Sequence, residues 1–298
     1  MMNALRLMAM MVACAWPASA SAEVRVIDDR AVPVVLQRPA KRIISLAPHA
    51  TELLFAAGAG DRIVGTIEFS DFPPAAKAIP RIGSSALLDL EQIVRLDPDL
   101  IVVWLHGNAQ SQLDRLQRLG VPMFYTESRK LEDIPRALLQ FGTLAGSEST
   151  ARKAAADFST RLGALRARYA QRSPVPLFWQ VWARPLLTIN GQQLINDVIR
   201  LCGGVNIYER APMLVPAITI EAVVEANPEA IITTSSDSAA DGSDGLDLWR
   251  KLPSLRATTL GNLLVLDAEK IHRQSPRILE GAGQLCEQLD LVRSRRKP

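Results

Sequence analysis

Apolar and polar positions along the chain fall into two alternating regimes. "RIISLA" (42–47), "RIVGTI" (62–67), "LIVVW" (100–104) and "VPMFYT" (121–126) are short apolar runs of the length of buried strands. Between them lie stretches with helical spacing: "TELLFAAGAG", which ends on Gly58 and Gly60, then 89–96 and 109–119. Strands buried along their whole length and separated by helices predict parallel α/β sheet. The regime changes after Gly146. From Ser147 to Gln171 the apolar residues Ala151, Ala154, Phe158, Leu162, Leu165 and Tyr169 recur every three or four positions, which is one face of a long helix. At 1.5 Å per residue such a helix reaches about 37 Å, the width of a small domain. Pro174 and Pro176 follow it, and a second strand–helix block begins: "VPLFWQVW" (175–182), a helix near 192–201 closed by Gly203 and Gly204, "AIITT" (230–234) and "NLLVLDA" (262–268).

The two blocks share a phrase. "LEQIVRLDPDLIVV" (90–103) and "IEAVVEANPEAIIT" (220–233) match at Glu91/Glu221, Val94/Val224, Pro98/Pro228 and Ile101/Ile231. Asp89 and Thr219 are suited to cap the helix that opens each copy, and the proline closes it before a buried strand. Either glutamate alone is accounted for by the helix dipole, which favours a carboxylate in the first turn by about 0.3–1 kcal/mol. The dipole does not account for the likeness of this one segment in both halves; an external contact made by both does. The expected architecture is therefore two Rossmann-like α/β lobes, 23–145 and 175–292, joined by one rigid helix within 146–174, with a ligand cleft between the lobes.

Composition adds export. The chain has 298 residues, 48% hydrophobic and 22% charged, with net charge +3. No segment has the basic, aromatic-interleaved character of a nucleic-acid surface. Residues 1–22 carry Arg6, an apolar run from Leu7 to Trp16, then Pro17 and Ala-Ser-Ala sites ending at Ala20 and Ala22, the pattern of a secretory signal. A rival reading acylates Cys14 as a lipoprotein anchor; Met11 is a poor lead residue for it, so a soluble periplasmic monomer is the expectation. Removing the signal leaves Cys202 and Cys286, an even pair in an oxidising compartment, neither in a CxxC pattern. They predict a disulfide, the alternative being two buried thiols. The basic end, 293–298 ("RSRRKP"), is expected to fray in solvent.

Several of these stretches together carry a resemblance: "RIISLAPHATELLFAAGAGDRIVGT", "FSDFPP", "LDLEQIVRLDPDLIVVW", "LCGGVNIY" and "SPRILEGAGQLC". In this order, over nearly the whole mature chain, they resemble the periplasmic cobalamin-binding proteins of ABC importers, part of the helical-backbone class that also includes siderophore, haem and metal receptors. The resemblance implies a corrinoid held between the lobes, with a haem or ferric siderophore as the alternative cargo and no cofactor of the protein's own. It implies that Glu91 and Glu221 pair with arginines of a dimeric permease in the inner membrane. It also places a disulfide at Cys202 and Cys286.

Ligands of α/β lobes approach the carboxyl ends of the strands. Those ends supply Pro48, His49, Phe69, Phe72, Trp104, His106, Gly107 and Asn108 from the first lobe, and Trp182, Glu269, His272 and Arg273 from the second. Aromatic residues make up only 5% of the chain, so their recurrence there suits a large, flat, partly apolar ligand; Trp179 and Trp249 are expected in the core instead. All three histidines fall on these loops, open either to ligating a metal centre, with Glu269 beside them, or to hydrogen-bonding the amide rim of a corrinoid. No metal site of the protein's own is expected. Ser85 and the neighbourhood of Val215 stand where the family carries tryptophans, and Phe69 and Phe72 where it has tyrosines, which lowers stacking and removes hydroxyls. Trp182 offers compensation. No GxSxG, HExxH, GxxxxGK[ST] or GxGxxG pattern occurs, and "DSAADGSDGLDL" (237–248) lacks the glutamate a calcium loop needs at its twelfth position. Enzymatic activity is not expected; a serine at 45 or 85 bonded to His49 would have revived it.

Overall fold

The buried apolar runs become two sheets. The computed structural model describes residues 23–235 and 245–296; the signal segment, Cys14, most of the calcium-like loop and the last two residues lie outside that range. An antiparallel hairpin, β1 (Val24–Ile27) and β2 (Pro33–Leu36), opens the chain. Strands β3 (Ile43–Ser45), β4 (Ile63–Thr66), β5 (Leu100–Trp104) and β6 (Met123–Thr126) then form an all-parallel sheet in the order β4-β3-β5-β6. Its helices are α1 (Pro48–Ala56), α2 (Leu90–Arg95), α3 (Gln110–Gln117) and α4 (Asp133–Ala145). The second lobe repeats the plan with β7 (Val175–Trp179), β10 (Gly204–Asn206), β11 (Ala230–Ser235) and β12 (Leu263–Asp267), parallel in the order β10-β7-β11-β12. A short hairpin, β8 (Trp182–Ala183) and β9 (Leu186–Leu187), projects from the end of β7. Helices α6 (Leu194–Leu201), α7 (Ile220–Ala226), α8 (Asp247–Arg250), α9 (Arg256–Thr259), α10 (Ala268–Ile271) and α11 (Ile278–Ser294) complete it.

Between the lobes runs α5, Glu148–Tyr169, continuous over 22 residues. Gly146 ends α4 in the left-handed conformation (φ 64°), turning the chain directly into α5. The helix stops at Tyr169, before the expected prolines. It packs on α1 and α4 in one lobe and on α6 and α11 in the other. Ala151, Phe158, Leu162 and Tyr169 are buried, as the periodicity requires, and belong to one core cluster that continues through both lobes. Separate clusters cover the other face of each sheet, the second including Trp249. Trp179 lies in the shared core.

Cys202 and Cys286 form the expected disulfide, joining the end of α6 to α11. The basic end departs from expectation. Arg293 bonds the carbonyls of Ser173 and Cys202, and Arg296 forms two bonds to Glu229, which is 1% exposed. These arginines do not fray, because a buried carboxylate and unpaired loop carbonyls require donors there.

The two copies of the repeated phrase fold alike, α2 ending at Arg95 and α7 one position further along, at Ala226. Asp89 accepts a hydrogen bond from the Gln92 amide and Thr219 one from Ala222, capping α2 and α7. Asn227 (φ 42°) caps α7 in the left-handed conformation, whereas α2 is capped by right-handed Leu96 and the matching left-handed residue, Asp97 (φ 44°), follows it. In each copy the glutamate is exposed, the residue two on (Ile93 or Val223) is fully buried, and the valine after it (Val94 or Val224) is exposed.

Candidate functional site

Where the carboxyl ends of the two sheets come together, side chains from both lobes interlock. Trp104, the last residue of β5, is the centre of the first group. Its indole Nε1 donates to Glu127 Oε2 at 3.1 Å, and its ring meets His49 edge-on at 5.1 Å between centroids. Gly107 lies against the same ring: a Cβ there would stand 1.7 Å from the indole, so only glycine admits this loop path. Asn108 accepts from the Trp104 amide and donates to the Leu46 carbonyl, both at 2.8 Å, which ties the ends of β3 and β5 together. Expected as a ligand contact, Asn108 has its amide committed to shaping the loop. His106 Nδ1 is 3.0 Å from Glu127 Oε2. From the other lobe, Gln274 donates to Glu127 Oε1 at 3.1 Å and accepts from the Ser128 amide at 3.0 Å.

The second group crosses the same boundary. Glu52, buried on α1, accepts from Ser275 Oγ at 2.6 Å and from Arg277 Nε and Nη2 at 2.9 and 2.5 Å. The Arg277 guanidinium lies 4.0 Å over the Phe72 ring, and the Glu52 hydrogen bond raises its already high pKa. Phe72 is thus held from beneath while 41% of it remains exposed. Phe69 and Trp182 are more open still, at 70% and 62%.

Glu269, Arg273 and His272 form the third group. Arg273 Nη2 pairs with Glu269 Oε2 at 2.6 Å, and His272 Nε2 lies 3.3 Å from Thr234 Oγ1. The Arg273 charge acts on His272 and, across the lobe boundary, on His49. His49, in the first turn of α1 behind half-buried Pro48, is 5% exposed. Burial first, and Arg273 second, push its pKa down to about 3, so this imidazole is neutral. Burial and Arg273 lower His272 as well, against the opposing pull of Glu269.

The structure therefore gathers Pro48, His49, Phe72, Trp104, His106, Gly107 and Asn108 with Glu269, His272 and Arg273 along one inter-lobe boundary, with Phe69 and Trp182 as exposed aromatics at strand ends. The three histidines do not converge: one is buried, one is paired with Glu127, and one rests on Thr234. Among the described residues no group of three His, Cys, Asp or Glu side chains could hold a metal ion. Ser45 bonds the Ala47 carbonyl and Thr51, not His49. Sequence reasoning missed Glu52, Glu127, Gln274, Ser275 and Arg277. Glu127 follows directly on β6, so the strand-end rule could have found it; Glu52 gave no local sign. A surface recess of about 580 Å³, also bordered by Glu127, holds Asp28, Asp29 and Asp133. Arginines and backbone amides already occupy those carboxylates, leaving a charge network rather than a ligand site.

Known proteins agree with this architecture. The model of the family described as "Periplasmic binding protein" matches residues 43–270. The vitamin B12-binding protein of Vibrio parahaemolyticus is 34% identical over 262 residues, 87% of this chain and 92% of that protein. The crystal structure of the periplasmic vitamin B12 binding protein BtuF of Vibrio cholerae superposes with a TM-score of 0.78 at 34% identity, covering 86% of this chain and 98% of that one. The periplasmic heme-binding protein RhuT of Roseiflexus sp. RS-1 shares the fold, with a TM-score of 0.73 at 22% identity over 85% and 98% of the two chains. No helix among the described residues is long and apolar enough to cross a membrane. With two parallel-sheet lobes on a single helix and a family match spanning both, this chain is a member of the periplasmic binding protein family.

Proposed function

We propose that this protein is exported to the periplasm, captures cobalamin or a related corrinoid between its lobes, and delivers it to a dimeric ABC permease without catalysing a reaction. The single observation that carries the cargo is the similarity to vitamin B12-binding proteins over 86–87% of this chain. The geometry supports it. Phe69, Phe72 and Trp182 offer exposed aromatic surface for a broad, partly apolar macrocycle, while Glu269 and Arg273 offer polar partners for its rim. The lobe division proposed is 23–145, 146–174 and 175–292, and continuity of the core through α5 suits a body whose lobes move little.

Delivery rests on the paired helices. Each presents an exposed glutamate with an exposed valine one turn along, Glu91/Val94 and Glu221/Val224, on a rigid two-lobed frame. Glu91 also meets Arg95 of its own helix at 2.8 Å, an exposed pair that a partner's arginine can displace. The two acidic tips suit a two-fold partner carrying arginines, where charge pairs fix register and speed encounter. Titrating the purified protein with cyanocobalamin, haemin and a ferric hydroxamate, followed by absorbance and calorimetry, tests the cargo. Saturable one-to-one binding of the corrinoid in preference to the other two is expected; preference for haemin or the siderophore overturns the assignment.

A further inference from the structure

Of the three histidines, His106 alone combines a fixed ring with an open nitrogen. His49 is buried beneath Trp104, and His272 Nε2 faces Thr234. His106 is 48% exposed at its side chain, and its Nδ1 is held by Glu127 Oε2 at 3.0 Å. A carboxylate only accepts hydrogen bonds, so Nδ1 carries the proton and the lone pair of the neutral ring lies on Nε2. No hydrogen bond engages Nε2 among the described residues. Glu127 is itself immobilised: its side chain is 12% exposed, Trp104 Nε1 shares its Oε2, Gln274 of the other lobe holds its Oε1, and its own amide donates to Asp29 at 2.6 Å. The loop bearing His106 is pinned at both ends by Asn108 and by the Gly107–Trp104 contact. A histidine oriented by a carboxylate through one nitrogen, with the other presented outward, is the arrangement of an imidazole metal ligand and its orienting partner.

We propose that His106 Nε2 coordinates the metal of the bound tetrapyrrole at its open axial position, with Glu127 as the positioning residue. The inference rests on the cargo assignment above and adds to it a choice of axial form. In the step, the neutral tautomer's Nε2 lone pair forms the new bond and a water ligand leaves the metal as neutral water; no electron is transferred, and a ring protonated on both nitrogens first gives its Nε2 proton to solvent. The cargo so favoured is an aquo-type corrinoid over one whose axial position is already filled.

The test compares aquocobalamin, cyanocobalamin and haemin, each titrated into the wild-type protein and into His106→Ala. Because His106 is exposed, its removal leaves the fold intact, which circular dichroism verifies. Bound aquocobalamin is expected to take the absorption spectrum of an imidazole adduct in the wild type and to keep the aquo spectrum in H106A. Cyanocobalamin should bind without a shift. Glu127→Gln should lower the preference for the aquo over the cyano form by roughly 10–100-fold; an equal weakening of both would make Glu127 merely structural and overturn its assigned role. An unshifted spectrum of aquocobalamin bound to the wild type, or the same shift in H106A, overturns coordination while leaving corrinoid capture standing. A His106-dependent shift with haemin alone keeps the coordination and overturns the corrinoid cargo. Failure of all three to bind overturns both.

Discussion

Removing the charge of Arg277 tests how the lobes are held together. The residue lies 225 positions from Glu52, yet its guanidinium gives Glu52 two of its three hydrogen bonds, the third coming from Ser275. The Glu52 side chain is 4% exposed and that of Arg277 17%, so solvent can screen neither effectively. Breaking a pair this deeply placed by deleting one partner costs about 3–5 kcal/mol, because the survivor keeps its desolvation penalty without its counter-charge. Arg277→Met keeps an apolar side chain of similar length and removes the charged fork, together with its contact over the Phe72 ring. The partial exposure of Arg277 places its expected loss near the lower end, about 3 kcal/mol. Glu52→Gln keeps one acceptor and should cost a similar amount. In the double variant neither charge is stranded, so its loss should fall short of the sum of the two singles by about 2 kcal/mol or more. Urea unfolding followed by far-ultraviolet circular dichroism reads all three, and the core shared by both lobes should give a single transition. A loss below about 1 kcal/mol in either single variant, or strict additivity in the double, would refute the view that this pair clamps the lobes.

Further expectations concern the disulfide, His49 and the paired glutamates. The bridge closes a loop of 84 residues, for which chain entropy gives a stabilisation of about 4–5 kcal/mol; Cys202→Ser/Cys286→Ser should lower the urea midpoint accordingly, and an unchanged midpoint contradicts this. Because the His49 pKa falls from 6.5 to about 3 on folding, the unfolded chain binds the extra proton. Stability is therefore full above pH 6.5 and is lost as pH falls towards 3, by up to about 1.4 kcal/mol per pH unit from this group. His49→Gln should show a shallower acid loss in melts across that window, and an identical slope would dismiss the assignment. Glu91→Ala combined with Glu221→Ala should abolish corrinoid-dependent uptake in cells with no more than about twofold change in ligand affinity; normal uptake by the double variant would remove the docking role.

How far the sequence could be read depended on the reach of the interactions. Asp89 and Thr219 identified themselves as caps because a cap acts over three residues. The α5 face from Ala151 to Tyr169 was readable because helical periodicity is set by the chain's own geometry. Most of the parallel strands were legible for the same reason, but the short strand β10, where Gly203 and Gly204 looked only like a helix stop, the opening hairpin and helices α4 and α11 were not picked out. Asn108 illustrates the opposite case. A polar residue after a strand looks the same whether it faces a ligand or, as here, bridges Trp104 to Leu46. The arginines near the C-terminus looked like a solvated tail, and the buried Glu229 that binds Arg296 comes from a distant part of the chain.

By itself the sequence determined two strand-and-helix lobes, the helix between them, the duplicated glutamates and the pair of cysteines. All of these follow from periodicity, capping and counting, which act among near neighbours. Only the tertiary structure decided that Glu52 meets Arg277, that Gln274 meets Glu127, and that His49 is buried while His106 is held open. The first two pairings arise where the lobes meet, and the histidine environments where separate loops of one lobe meet. The distance between residues along the chain carries no record of which side chains the fold brings into hydrogen-bonding range.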